Sequence, residues 1–227
     1  MSAREQRALV RKIVRLLESF FGPLEPPHQD DPLDELILTV LSQHTSDLNA
    51  DRAFGDLHEA FKDWAAVEGA PEKRVADAIR SGGLANTKAP RIQAILREVR
   101  AREGAFDLSV LRGLADEEAR AYLISLPGVG PKTAAVVLSF SLERDTMPVD
   151  THVHRVTGRL GLIPARTSAE KADRILHDLI PDGLRTPLHV GFIRLGREVC
   201  KARDPRCRDC PLLDVCPSGL ATTGKSG

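Results

Sequence analysis

Residues 126–133 read Leu126-Pro127-Gly128-Val129-Gly130-Pro131-Lys132-Thr133, a glycine-rich turn between two helix-compatible segments, 116–126 and 131–142. Glycine permits left-handed backbone and the close approach of a ligand, and a proline just past the last glycine suits the first position of a helix. The turn lacks the four-residue spacer that precedes Gly-Lys in a P-loop. It also lacks the third glycine and the flanking strands of a dinucleotide fingerprint. Amides at the start of the second helix point outward, so Gly128, Val129 and Gly130 can grip one phosphate of a nucleic-acid backbone without reading sequence, with Val129 packed between the helices. A plain corner between two helices is the competing interpretation.

Outward from this turn, helical periodicity dominates. Leu9, Ile13, Leu16, Leu17 and Phe20 share one face of a helix over 3–20, and Ile92, Ile95, Leu96 and Val99 share another over 90–102. Segments 33–42 and 49–61 are helical in composition, Pro71 opens a helix that Gly82-Gly83 closes, and Pro187 starts one running to Cys200. Thr167-Ser168-Ala169-Glu170 reads as a capping box before a helix over 172–179. Residues 22–32, with four prolines, read as a linker, and the Gly/Thr/Ser-rich tail from Ser218 as disordered. Alternation of period two appears nowhere at useful length, so the expected fold is all-α.

The chain has 227 residues, 42% hydrophobic and 28% charged, enough for one large or two small domains with a full core and too apolar for a disordered chain. Seven Phe, one Trp and one Tyr are too few for a base-stacking platform of many rings. No run of eighteen apolar residues occurs, and Met1-Ser2-Ala3-Arg4 leads into a charged helix, so a soluble intracellular protein with no membrane association is expected. Lys plus Arg balance Asp plus Glu at 32 each, but unevenly along the chain. Residues 1–16 carry net +4 (Arg4, Arg7, Arg11, Lys12 and Arg15 against Glu5), residues 30–63 net −7, and residues 185–210 net +4. If the two basic ends meet, they form one positive surface suited to phosphate; solvated helix faces are the alternative.

The four cysteines, Cys200, Cys207, Cys210 and Cys216, are spaced C-x6-C-x2-C-x5-C. Four thiols so close together suit a metal centre better than disulfides, with Lys201, Arg203, Arg206 and Arg208 as nearby positive charge for thiolates. One tight pair with looser arms matches the wrapping of a four-iron cluster, whereas structural zinc usually shows two tight pairs. Zinc and unligated thiols stay open.

Lys132 lies two residues past the turn's last glycine. Its amine must be neutral to attack carbon, although free lysine titrates near about pH 10.4; a helix N-terminus and loss of water on substrate binding both favour the neutral form. Asp150, in Pro148-Val149-Asp150-Thr151-His152, can accept a proton or stabilise a cationic sugar, and it is equally suited to N-cap the helix from Thr151. His152 and His154, two apart on a helix, diverge, which favours packing or a phosphate contact over a shared metal.

Three segments in order, 126–138 with the turn and Lys132, 149–155 (Val-Asp-Thr-His-Val-His-Arg) and the four-cysteine loop, resemble the endonuclease III family of helix-hairpin-helix DNA glycosylases. The likeness extends upstream to Leu41-Ser42-Gln43-His44-Thr45-Ser46-Asp47 and Gly83-Leu84-Ala85-Asn86-Thr87-Lys88-Ala89, and covers most of residues 33–217. It implies two helical domains with double-stranded DNA in the cleft between them. These would be a six-helix domain over 33–143 ending in the hairpin, and a 4Fe-4S cluster domain of 1–32 with 144–217, followed by a disordered tail over 218–227. It implies base excision repair by a monomer acting in the cytoplasm at the nucleoid. Lys132 would attack C1′ of a flipped-out nucleotide, form a Schiff base and nick the strand by β-elimination, with Asp150 as the accompanying carboxylate. The four cysteines would hold the cluster, and Lys201, Arg203, Arg206, Arg208 and His152 would meet DNA. At the position where the family commonly carries a gap-filling glutamine this chain has His44, preceded by Gln43, so either is the candidate wedge; Leu84 matches a second wedge position. Oxidised pyrimidines are the expected lesions. A monofunctional glycosylase for alkylated or mismatched bases, and a non-catalytic DNA-binding module with structural zinc, are the rival functions.

Overall fold

The computed structural model describes residues 3–26 and 31–224. Pro27 to Asp30, within the expected linker, and the last three residues of the expected tail lie outside the described residues. The described residues form twelve α-helices and no strand. None of these helices is long and apolar enough to cross a membrane. The chain divides into two compact units, residues 28–144 and residues 1–27 with 145–227.

The 28–144 unit contains α2 (Pro32–Ser42), α3 (Asp47–Ala60), α4 (Trp64–Gly69), α5 (Glu72–Ala78), α6 (Ala85–Glu103), α7 (Asp116–Ile124) and α8 (Pro131–Phe140). The six-residue α4 is too short to show a hydrophobic repeat, which is why the sequence pattern resolves six helices here and the structure seven. Helix α2 is buried nearly all round, through Leu33, Leu36, Ile37, Val40 and Leu41, and packs on α3, α6 and α8. Asp31 starts it by accepting from the amides of Leu33 (2.7 Å) and Asp34 (3.2 Å), and Pro32 supplies a pre-set first turn. Helix α6 buries the expected Ile92, Ile95, Leu96 and Val99. At the unit's end, the Arg144 guanidinium pairs with Asp116 and donates to the carbonyls of Leu111 (3.1 Å) and Leu114 (2.9 Å).

The second unit contains α1 (Ala3–Phe21), α9 (Thr151–Arg159), α10 (Ala169–Leu179), α11 (Arg185–Glu198) and α12 (Pro217–Thr223). Its core joins Val10, Ile13 and Leu17 of α1 to Val153 and Val156 of α9, Leu176 of α10 and Phe192 and Leu195 of α11. Glycines set the closest approaches: a Cβ on Gly191 would lie 2.9 Å from Leu17 Cδ1, and one on Gly196 would lie 2.8 Å from His152 Cβ. Leu184, which precedes α11, offers no capping side chain. Asp145 supplies the cap from a distance, accepting from the amides of Gly183 (2.6 Å), Arg185 (2.9 Å) and Thr186 (3.0 Å).

Two expectations need correction. Residues 218–223 belong to α12, started by Pro217, rather than to a disordered tail. Helix α10 is capped by Ser168, which accepts from the Lys171 amide, while the Thr167 hydroxyl turns back to the Pro164 carbonyl (2.7 Å), so no box forms between Thr167 and Glu170.

Inside the 28–144 unit, α2 also buries a carboxyl: Glu35 Oε1 accepts from the Thr39 hydroxyl (2.8 Å). Burial pushes its pKa from the ordinary 4.5 up to about 7, against the opposing effect of the Thr39 bond. The folded chain therefore keeps a proton that the unfolded chain loses, and stability falls as pH rises between those two values. We expect Glu35→Gln to match the parent below pH 4.5 and to gain on it progressively up to pH 7. The gain should reach about 3 kcal/mol at the upper end. Urea unfolding across pH measures this, and a pH-independent difference would contradict it.

Candidate functional site

Helix α7 ends at Ile124, and the next turn closes through Leu126 N to Leu123 O (3.1 Å) and Val129 N to Leu126 O (3.2 Å). Gly128 sits at φ +71°, where a side chain would be strained. Leu126 and Val129 are buried in the unit's core, while Gly128 is exposed. Gly130 precedes α8 without a capping side chain and Pro131 brings no N–H, so the amides of Lys132 and Thr133 open the helix without backbone acceptors. Such uncapped amides at a helix start are able to accept an anion. Lys132 is exposed in the first turn of α8 and has no hydrogen bond or ion pair among the described residues of its unit.

Two further turns of the same unit carry the candidate wedges. His44 at φ +57° and Leu84 at φ +50° both occupy the left-handed region without being glycine, and both are exposed. Such residues cost roughly 1–3 kcal/mol each and persist only where the surroundings over-determine them. One clamp is Lys88, 2% exposed, whose ammonium donates to Leu41 O (2.6 Å) just before the first turn and to Gly82 O (2.8 Å) just before the second. Burial, then the neighbouring Arg91, pulls its pKa down. Arg91 is the second clamp: it donates to Gln43 Oε1 (2.8 Å), and its side chain passes where a Cβ on Gly128 would be 2.7 Å from Nε. Gln43 is half-buried and engaged; His44 is not. Neither clamp is singled out by the sequence motifs. The signal for Lys88 was a lysine four residues before Ile92 on a buried stripe; Arg91 had none.

In the other unit, Asp150 N-caps α9, with Oδ1 accepting from Val153 N (2.7 Å). The segment before it is pinned by buried His189 of α11, whose Nδ1 donates to Pro148 O (2.8 Å). His189 was also missed; its signal is the i, i+3 relation to buried Phe192. His152 Nδ1 accepts from Arg155 (3.0 Å), which makes Nε2 the proton-bearing nitrogen, whereas His154 Nε2 bonds Thr167 O (2.7 Å). The two histidines thus diverge.

Helix α9 also scaffolds the cysteine loop. Arg155 donates to the carbonyls of Cys200 (3.0 Å) and Gly196 (2.9 Å), and Arg159 to Cys200 Sγ (3.2 Å) and Lys201 O (2.7 Å). All four cysteines are free and half-buried, and together they line one cavity of about 100 Å³. Burial, reinforced by the neighbouring thiols, pushes Cys210 up to about 11 and raises Cys216. Arg159 donates to sulfur, while Lys201, Arg203, Arg206 and Arg208 are exposed, with Arg206 lining the cysteine cavity and donating to the Glu198 carbonyl. Among the described residues, no three His, Cys, Asp or Glu side chains converge as a single metal ion requires.

The predicted site residues therefore fall into two sets. Gln43, His44, Leu84, the hairpin and Lys132 belong to one unit; Asp150, His152, the cysteines and the basic loop belong to the other.

Residues 37–182 match the family model described as HhH-GPD superfamily base excision DNA repair protein. Endonuclease III of Thermotoga maritima is 36% identical over 83% of this chain and 84% of its own length. Endonuclease III of Escherichia coli strain K12 is 32% identical over 90% of this chain and 92% of its own. A solved endonuclease III–DNA covalent intermediate superposes with TM-score 0.83 and 28% identity, covering 98% of this chain and 99% of that one. The chain belongs to the HhH-GPD superfamily of base excision DNA repair proteins and, within it, to the endonuclease III family.

Proposed function

We propose that this protein is a bifunctional DNA glycosylase and abasic-site lyase that acts on oxidised pyrimidines in double-stranded DNA. The observation that carries this is Lys132: an exposed, unpaired amine in the first turn of the helix that follows the glycine-rich hairpin. Gly128 and Gly130 hold a phosphate while Lys132 Nζ attacks C1′ of the extruded nucleotide, the glycosidic bond breaks and the base leaves with its electron pair. Loss of a proton from nitrogen leaves a ring-closed aminal. Its nitrogen lone pair then expels O4′, which takes up a proton, so that the sugar opens to the protonated Schiff base. Loss of a C2′ proton expels the 3′-phosphate and nicks the strand. Asp150 stabilises positive charge on the sugar and takes up protons, with Oδ2 left over from the capping bond.

His44 fills the gap left by the extruded base. Gln43 is held back by Arg91, whereas His44 stands exposed on a strained turn beside which Leu84 is similarly held. Cys200, Cys207, Cys210 and Cys216 hold a 4Fe-4S cluster. The four thiols line one cavity, as a cluster held by four cysteines requires. The cluster's part is structural: it fixes the loop that presents Lys201, Arg203, Arg206 and Arg208 to phosphate.

Borohydride should trap wild-type protein on a duplex containing an oxidised pyrimidine, and Lys132→Ala should lose the adduct. Base release with neither adduct nor nicking would identify a monofunctional enzyme instead. The purified protein should be brown and carry about four irons per chain, and Cys210→Ser should lose them; stoichiometric zinc would contradict the cluster. In single-turnover assays His44→Ala should slow base release by about 10- to 100-fold, the scale of one lost base-stacking contact. Gln43→Ala should cost less, and the reverse order would reassign the wedge.

A further inference from the structure

The basic N-terminal helix plays no part in the chemistry proposed above. Along α1, Arg4, Arg7, Arg11 and Arg15 follow one another at intervals of three, four and four residues and are all exposed. With Ala8 they line an open groove of about 530 Å³ to which no residue of the cysteine loop contributes, so the two basic ends of the chain do not share this groove. None of the four guanidinium groups has a hydrogen bond or ion pair among the described residues.

As a free helix face this arrangement is unfavourable. Arg7 with Arg11, and Arg11 with Arg15, are like charges one turn apart, and Arg4 with Arg7 nearly so. The macrodipole favours anions at the N-terminus and cations at the C-terminus. Here the first turn sets Arg4 beside Glu5 and the last turn has no basic residue, so the helix ends do nothing to offset that repulsion. An anionic partner laid along the stripe relieves it.

We infer that this face of α1 is a second nucleic-acid contact that takes the phosphate backbone of duplex DNA. From Arg4 to Arg15 the stripe is about 16 Å long, the length over which one DNA strand presents about five phosphates. Guanidinium is suited to such a row because it binds phosphate through two parallel N–H bonds. The spacing carries no provision for reading bases, so the contact adds affinity for undamaged DNA and leaves lesion choice to the other unit. The inference rests on the proposed action on DNA for its choice of partner.

The test replaces all four arginines by glutamine, which keeps helix propensity. Binding of a long undamaged duplex is measured across salt, and base release is followed on a short lesion-bearing duplex at saturating enzyme. Loss of four phosphate contacts should reduce the slope of log K against log salt by about 3 to 4. Single-turnover base release should be unchanged, and the thermal midpoint should not fall. An unchanged salt slope overturns the inference, as does a variant that binds undamaged DNA normally but loses retention of polyglutamate, which would mark an acidic protein partner. A wild type that releases no base from any lesion duplex, yet shows the expected loss of slope in the variant, would fail the proposed activity while leaving this surface intact.

Discussion

The buried ammonium of Lys88 is the constraint on which the loop edge of the 28–144 unit depends. Moving such a charge out of water costs several kcal/mol unless hydrogen bonds replace the lost hydration. Here two carbonyls do so, and they belong to the two segments whose next few residues enter the left-handed region. Charge and strain compensate each other. The lysine is held because the turns bring carbonyls to it, and the turns keep an unfavourable backbone because the lysine ties down their roots. Arg91 extends the same clamp toward the hairpin, so that the 43–44 turn and the glycine turn meet one side chain. Three loop segments far apart in sequence thereby become one rigid edge.

The cysteine loop is organised on the opposite principle. Its own regular structure amounts to short 3-10 turns, and its frame comes from α9, where Arg155 and Arg159, one turn apart, feed guanidinium donors into the carbonyls and one sulfur of the loop's first residues. The glycine at position 196 lets α9 and α11 approach closely enough for those bonds. Thiols raised by burial and by one another are poor anions on their own, and a bound cation is what turns such a set into ligands.

Much of this was legible in the sequence, because the fold follows local rules. Period-3.6 stripes located α1 and α6, the Gly-Val-Gly-Pro string located the hairpin, and cysteine spacing located the loop. Motif also singled out Lys132 and Asp150 as candidates, and the structure places both at helix starts. What escaped depends on long-range contacts that no local pattern encodes: the cap that Asp145 provides across forty residues, the Arg91–Gln43 bond, and the His189 bond to Pro148. Helix α4 escaped through brevity. The tail escaped because Gly, Thr and Ser suggest disorder, yet Pro217 and the Cys216 sulfur, which accepts from Gly219 N, start a helix there. Local composition was a poor guide where a neighbouring sulfur does the capping.

Asp150 closes the first turn of α9 with one carboxylate oxygen, a duty that asparagine or serine performs about as well. Architecture at this position is therefore indifferent to ionisation. A substitution to the amide would preserve the local geometry almost untouched while deleting a negative charge, which separates two demands that are usually entangled at reactive positions. The backbone's permissiveness makes residue 150 a place where electrostatics can be altered alone, with the scaffold serving as its own control.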